Sequence, residues 1–250
     1  FACKTVFGFF RMPDNYISFF QTSRIVTHTN RIRQSYILFY KVDVRNIVEI
    51  DNSELKYLTN EDYIELKEAM ILAYKSMPDQ YWRAHQIESL IEKFPEGQVV
   101  IKINGKLAGC ALSIIVDYDG FSDTHTYKDI TENYTFNSHN DEGDVLYGID
   151  VFIKPEFRGL RLGRRLYDYR KELCEKLNLR GIAFGGRIPN FHKYSDTLTP
   201  KEYIDRVKRK EIVDPVLNFQ ISNDFHPAKI MKGYLDGDAA SNEFAVLLEW

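Results

Sequence analysis

The sequence predicts an α/β domain, and three stretches carry that expectation. "GQVVIKINGKLAGCALSIIVDY" reads as two β-rich runs around Asn104-Gly105, the strongest short-range hairpin signal a sequence offers. "DVLYGIDVFIKP" reads as a buried strand that Pro155 stops. "PEFRGLRLGRRLYDYRKELCEKLNLRG" then becomes a helix, because Leu162, Leu166, Tyr169, Leu173 and Leu177 recur at spacings of three and four and build one apolar stripe.

Composition sets the limits around that core. At 250 residues, 44% hydrophobic and 28% charged, the chain has material for one large domain with or without extensions. No stretch approaches the roughly 20 uninterrupted apolar residues of a membrane helix, so no membrane partner is expected. Cys3, Cys110 and Cys174 are odd in number, widely spaced and without a CxxC pair, which indicates neither a disulfide framework nor a zinc site and fits a reducing cytoplasm. The six histidines show no metal spacing such as HExxH, so no metal is expected.

Residues 1–40 differ from the rest. They are aromatic, mildly basic and nearly free of acid, and show no clean helical or strand period. Low acid content with scattered Arg and Ser is shared with organelle transit peptides, but aromatic blocks such as Phe7, Phe9 and Phe10 are not. They are read as an N-terminal extension of unassigned role, ahead of a domain over residues 41–250.

From Lys41 the pattern becomes regular. "KVDVRNIVEI" alternates as a strand does, and "TNEDYIELKEAMILAYKS" offers Thr59 or Asn60 as a cap for a first helix. "YWRAHQIESLIEKF" supplies a second, closed by Pro95 and Gly97. After the hairpin, the polar stretch from Asp119 to Asp144 is too long for a simple loop and is expected to be a functional or partly ordered excursion. Asn178 with Gly181 ends the helix that starts near Leu162. "DPVLNFQISNDF" is a further helix, and "HPAKIMKGYL" with "FAVLLEW" a closing hairpin through Asp236-Gly237.

Charge at the central junction needs explaining. Between Lys154 and Arg187 there are ten basic residues and four acidic ones, in a chain whose formal net charge is -3. Basic residues at a helix start oppose the dipole and the free N–H groups, which already make that end positive. An anion would resolve the conflict: strand, glycine-bearing loop and helix N-terminus together let backbone N–H groups close on a phosphate. The bland alternative is a solvated face on which the arginines meet nearby glutamates.

Arg158-Gly159-Leu160-Arg161-Leu162-Gly163 resembles the R/Q-x-x-G-x-G/A signature of the GNAT-family N-acetyltransferases. The preceding "GIDVFIKPEFRG" and the following amphipathic helix are similar to that family as well. Arg161 departs from it, standing where the middle glycine is usual. More narrowly, "YWRAHQIESLIEKFPEGQ", the junction through "IPNFHKYSD", "DPVLNFQISNDF" and the terminal "LLEW" are similar to an acetyltransferase-like domain that bacteria fuse ahead of a nitrilase-type carbon–nitrogen hydrolase. The resemblance spans roughly residues 41–250. It implies a mixed, mostly antiparallel, splayed sheet with helices on both faces. It also implies acetyl-coenzyme A as cofactor, held by Val151, Phe152 and Ile153 of the strand and by Arg158, Gly159, Leu160, Arg161, Leu162, Gly163 and Arg164. As partners it implies a small amine substrate, a fused or associated carbon–nitrogen hydrolase and a second copy in a homodimer. Residues for hydrolase chemistry itself are not found here.

Acetyl transfer needs a base for the amine and a proton donor for the departing thiolate. Asp150 is the carboxylate that the resemblance puts forward as base; its bland reading is an acid that satisfies a neighbour such as Arg187. The donor is less well matched. The usual tyrosine position falls near Gln220, which cannot donate as a phenol does, so Tyr194 and His192 are the substitutes, with Tyr194 preferred. His125 and His139, in the long excursion, are further candidates to face a substrate. The rival readings are a non-catalytic acyl-coenzyme A-binding or regulatory module, and a nucleic-acid-binding protein. The latter is disfavoured by a pI of about 6.1 and the lack of a basic-aromatic module.

Overall fold

A computed structural model of the chain describes residues 4–11, 16–24, 38–43, 52–74, 77, 81–121 and 124–250. The chain divides into two units, Phe1–Glu49 and Ile50–Trp250. In the first, β1 (Lys4–Arg11), β2 (Tyr16–Arg24) and β3 (Leu38–Asp43) form an antiparallel sheet in that order. Strands thus occupy a segment in which no period was legible, because its aromatic and β-branched residues favour extended backbone whatever their alternation. Of the strand expected over residues 41–50, the first three residues belong to β3 and the others lie outside the described residues.

The second unit is the α/β domain. Its strands are β4 (Ser53–Tyr57), β5 (Gln98–Ile103), β6 (Lys106–Val116), β7 (Val145–Ile153), β8 (Gly181–Arg187), β9 (His226–Met231) and β10 (Ala245–Glu249). They lie in the order β4-β5-β6-β7-β8-β10-β9. Every neighbouring pair is antiparallel except β7 with β8. The sheet is therefore mixed and mostly antiparallel, as expected. Asn104 and Gly105 turn β5 into β6 with φ of 50° and 78°, the left-handed pair that a tight hairpin requires.

Helices arise where caps and stripes coincide. α1 (Tyr63–Ala73) packs on β6 and β7 after a 3₁₀ turn over Asn60–Asp62, and α2 (Ala84–Lys93) buries Ile87 and Leu90. α4 (Leu162–Lys176) follows β7 and buries Leu162, Leu166, Tyr167, Arg170 and Leu173 against the sheet. α6 (Pro215–Ile221) starts at Asp214, whose carboxylate accepts from the N–H groups of Val216 and Leu217. α5 (Pro200–Lys208) was not foreseen. Thr199 and Glu202 make a capping box with Pro200 at the first position, a signal that the sequence did contain.

The polar excursion is built from a 3₁₀ turn at Tyr118–Gly120 and the short helix α3 (Tyr127–Ile130). Ile130 and Phe136 are fully buried, which anchors the segment to the core.

Two features of β7 position the site. Opposite Leu112 and Ser113 the register shifts: Leu112 pairs with Asp150 and Ser113 with Gly148, so Ile149 is left as a bulge. On its other edge β7 pairs with β8 only through Val145–Gly181, Leu146–Ile182 and Tyr147–Ala183. Beyond Tyr147 the two parallel strands separate, which is the splay.

Candidate functional site

A cleft of about 1150 Å³ opens where β7 and β8 part. Gly148 to Ile153 form one wall and Phe184, Gly185 and Arg187 the other. Because pairing to β8 stops at Tyr147, the free edge of β7 can take an extended chain as a strand would.

At one end the cleft meets the basic junction. Pro155–Phe157 makes a 3₁₀ turn, Gly159 turns at φ 85°, and Arg161 sits at φ 59°, ψ 17° as the residue before α4. Arg161 thus keeps the left-handed conformation that glycine would supply, and the departure from the signature leaves the loop's course intact. Arg158, Gly159, Arg161, Leu162, Gly163 and Arg164 line the cleft, whereas Leu160 does not. The first turn of α4 holds no acid. None of Arg158, Arg161, Arg164 and Arg165 forms an ion pair with a described residue; Arg165 donates to Ser53 Oγ at 2.8 Å and Arg158 to the Ile153 carbonyl at 3.4 Å. The solvated face of arginine–glutamate pairs is therefore not what forms. Gly163 serves packing: a Cβ there would stand 2.6 Å from Cζ of Phe219, so glycine lets α6 close on α4.

Asp150 lies on the floor of the cleft beside the bulge. Its Oδ1 accepts the Tyr74 hydroxyl and its Oδ2 the Trp82 indole N–H at 3.3 Å. Burial lifts its carboxyl above the usual range, and the hydrogen bonds from Tyr74 and Trp82 and the charge of Arg170 offset this only in part. Arg187 is not its partner. That guanidinium donates to both oxygens of Asp238, from Nε at 2.7 Å and from Nη2, and Asp238 is 1% exposed.

The other expected groups are placed elsewhere. Tyr194 is outside the cleft lining, with its ring 5.5 Å from that of Tyr203, because the turn at Phe191–Lys193 carries it towards α5. It is not positioned as the proton donor. His192 bonds through Nδ1 to the carbonyls of Pro189 and Ala240. His125 is buried against Tyr147 Oη at 2.8 Å, and His139 accepts from the Ile115 N–H at 3.1 Å. All three serve local structure.

Residues 59–193 match the model of the acetyltransferase (GNAT) family. The chain belongs to that family. Among relatives of the GNAT chain, an uncharacterized N-acetyltransferase, YkwB of Bacillus subtilis, is 30% identical over 207 residues, 80% of this chain and 91% of YkwB. A probable hydrolase of the same organism, YhcX, is 42% identical over 169 residues, 68% of this chain and 33% of YhcX; the chain spans a third of that relative. Among solved structures, the loading GNATL domain of CurA from Lyngbya majuscula superposes with a TM-score of 0.70 at 23% identity, covering 80% of this chain and 98% of that one. The GphF GNAT-like decarboxylase in complex with isobutyryl-CoA gives 0.65 at 14% identity, covering 78% and 97%. These two likenesses concern the fold, which is the splayed acyltransferase sheet.

Acetyl-coenzyme A is the family's cofactor, and this site fits it: a free strand edge, an open glycine turn and three arginines, Arg158, Arg161 and Arg164, without acidic partners among the described residues converge on one cleft. Sequence reasoning missed the tyrosines. Tyr74, Tyr81, Tyr127, Tyr134, Tyr167 and Tyr234 all line the cleft, yet six among sixteen tyrosines carry no local mark. Tyr167 matters most. Its hydroxyl and Oε1 of Gln220 are both buried, near each other but without a well-formed hydrogen bond among the described residues, and burial pushes the phenol up to about 12 against the charge of Arg170 and the nearby Gln220.

Proposed function

We propose that the chain is an acetyl-coenzyme A-dependent N-acetyltransferase acting on a small amine. The observation that carries the reading is Asp150, a carboxylate of raised pKa on the floor of the splay, next to the bulge and in line with the arginine-rich loop. When bound, the cofactor supplies an acetyl group activated as a thioester. Arg158, Arg161 and Arg164, with the first N–H groups of α4, would hold its phosphates, and the free edge of Val151, Phe152 and Ile153 would offer backbone groups to the rest of the molecule. An amine arrives protonated at neutral pH. Asp150 takes that proton, and its raised pKa improves the match between base and amine.

Tyr167 replaces Tyr194 as the proposed donor. Its hydroxyl lies beside the Gln220 carboxamide, where the family's tyrosine is usual, but reaches there from α4 instead of α6. Aromatic walls from Trp82, Tyr127 and Tyr134, with ring centroids about 6 Å apart, favour an acceptor with an apolar body.

The test is a panel of primary amines with acetyl-coenzyme A, read by release of the free thiol. Turnover with at least one amine supports the reading. Calorimetric binding of acetyl-coenzyme A without turnover would favour the second reading, an acyl-coenzyme A-binding regulatory module, which Gln220 at the usual tyrosine position motivates. We further infer a carbon–nitrogen hydrolase as a fused or associated partner: the class comes from the sequence resemblance, and the support is that YhcX, a third of which the chain spans, is named a probable hydrolase. A cytoplasmic setting and residues 1–40 as a separate extension complete the proposal.

A further inference from the structure

Arg170 is a fully buried cation, 2% exposed, whose hydrogen bonds all go to uncharged groups. Nε donates to Ser113 Oγ at 3.0 Å, and Nη2 donates to the carbonyls of Leu112, at 2.6 Å, and Asp150. Those three acceptors surround the bulge, where the register between β6 and β7 shifts at Leu112 and Ser113. Room for the guanidinium depends on Gly148, since a Cβ there would stand 3.1 Å from Nη1. Burying a cation is costly unless its donors are matched, so this arrangement is unlike an incidental packing contact. It links α4, which begins in the phosphate loop, to the point at which β7 leaves β6's register and separates from β8.

We propose that Arg170 is a positioning residue, holding the β7 bulge and thereby fixing Asp150 on the floor of the cleft. The proposal rests on Asp150 as the base, but its first test needs no substrate. Charge supports the geometry: Arg170 lowers the Asp150 pKa against the effect of burial. The other groups that face Asp150 are Tyr74 at the end of α1, Trp82 before α2, Cys110 on β6, Tyr127 on α3, Tyr167 on α4 and Arg187 on β8. Of these only Arg187 is a cation, and Asp238 neutralises it. Removing Arg170 therefore removes the unneutralised positive charge near the carboxylate.

Titration of the Asp150 carboxyl by carbon-13 NMR, in the ligand-free protein, reads this directly. Arg170→Met should move the titration to higher pH by at least half a unit, and Arg170→Lys, which keeps the charge but not the fork, by less. Ser113→Ala should leave the titration in place while speeding amide exchange at Ile149 and Asp150 at least tenfold. Acetyl-coenzyme A affinity should change less than threefold in all three, while kcat for a confirmed amine falls at least tenfold in Arg170→Met. An unmoved titration in a folded Arg170→Met protein overturns the proposal, as does an affinity that falls in step with kcat. If Arg170→Met does not fold, the lysine variant and Ser113→Ala decide it by the same two readings. If the titration shifts but no amine is turned over, the positioning stands and the transferase reading fails.

Discussion

Replacing Arg161 by glycine should make the protein more stable and a weaker binder at once. The residue sits at φ 59°, ψ 17°, a conformation that costs an L side chain about 1–2 kcal/mol. Glycine removes that strain but costs about 0.5–1 kcal/mol through the freer unfolded chain. The net gain is of order 0.5–1 kcal/mol, which for a unit of this size raises Tm by about 1–4 °C. No ion pair is lost, since Arg161 forms none with a described residue, and the side chain is exposed. Coenzyme A affinity should nevertheless fall by roughly three- to tenfold, the loss expected for one solvent-screened contact to a phosphate. Thermal unfolding and calorimetric titration at two salt concentrations read both effects. A lower Tm would refute the strain argument, and unchanged affinity would place the phosphates away from this loop.

Other outcomes follow from the same geometry. Tyr167→Phe deletes a buried hydroxyl that lies beside Gln220 without a well-formed hydrogen bond among the described residues, so Tm should hold or rise while kcat drops by roughly tenfold; a clear loss of stability would mean that the hydroxyl is bonded. The acid limb of kcat/KM should lie above the ordinary carboxylate value of about 3.9, because burial raises Asp150 and the base is lost as pH falls through that pKa; a limb at or below that value removes Asp150 from the role. Sulfate and coenzyme A should raise Tm more than a neutral osmolyte does, since an anion relieves the arginine cluster only in the folded state; equal shifts would point to a site that binds no anion.

What the sequence revealed divides along physical lines. The hairpin at Asn104-Gly105, the strand before Pro155 and the helix from Leu162 were legible because each is set by local rules: turn chemistry, chain termination and a period near 3.6. The basic junction was legible too, since charge against a helix dipole is a conflict visible in the residues alone. Tyr194 misled because it was taken as a substitute for the tyrosine that Gln220 displaces, whereas the turn at Phe191–Lys193 directs it to Tyr203. Tyr167 and Arg170 were hidden inside the helical pattern. Tyr167 reads as one more large residue facing the core, and Arg170 as one more solvated cation, yet both are buried at the splay. Their roles depend on a bulge at Ile149 that arises from pairing between distant strands, and no local signal marks it.

The central claim is that the splay cleft holds acetyl-coenzyme A while Asp150 takes the proton of the amine. Side-by-side measurement of acetyl-coenzyme A affinity and amine-dependent thiol release, for the unmodified protein and Asp150→Asn, tests both halves. Asparagine keeps the size of the side chain and removes the proton acceptor. The account predicts affinity unchanged within about twofold and turnover lower by roughly 10²- to 10⁴-fold. Full turnover in Asp150→Asn on an amine that the unmodified protein acetylates would contradict it.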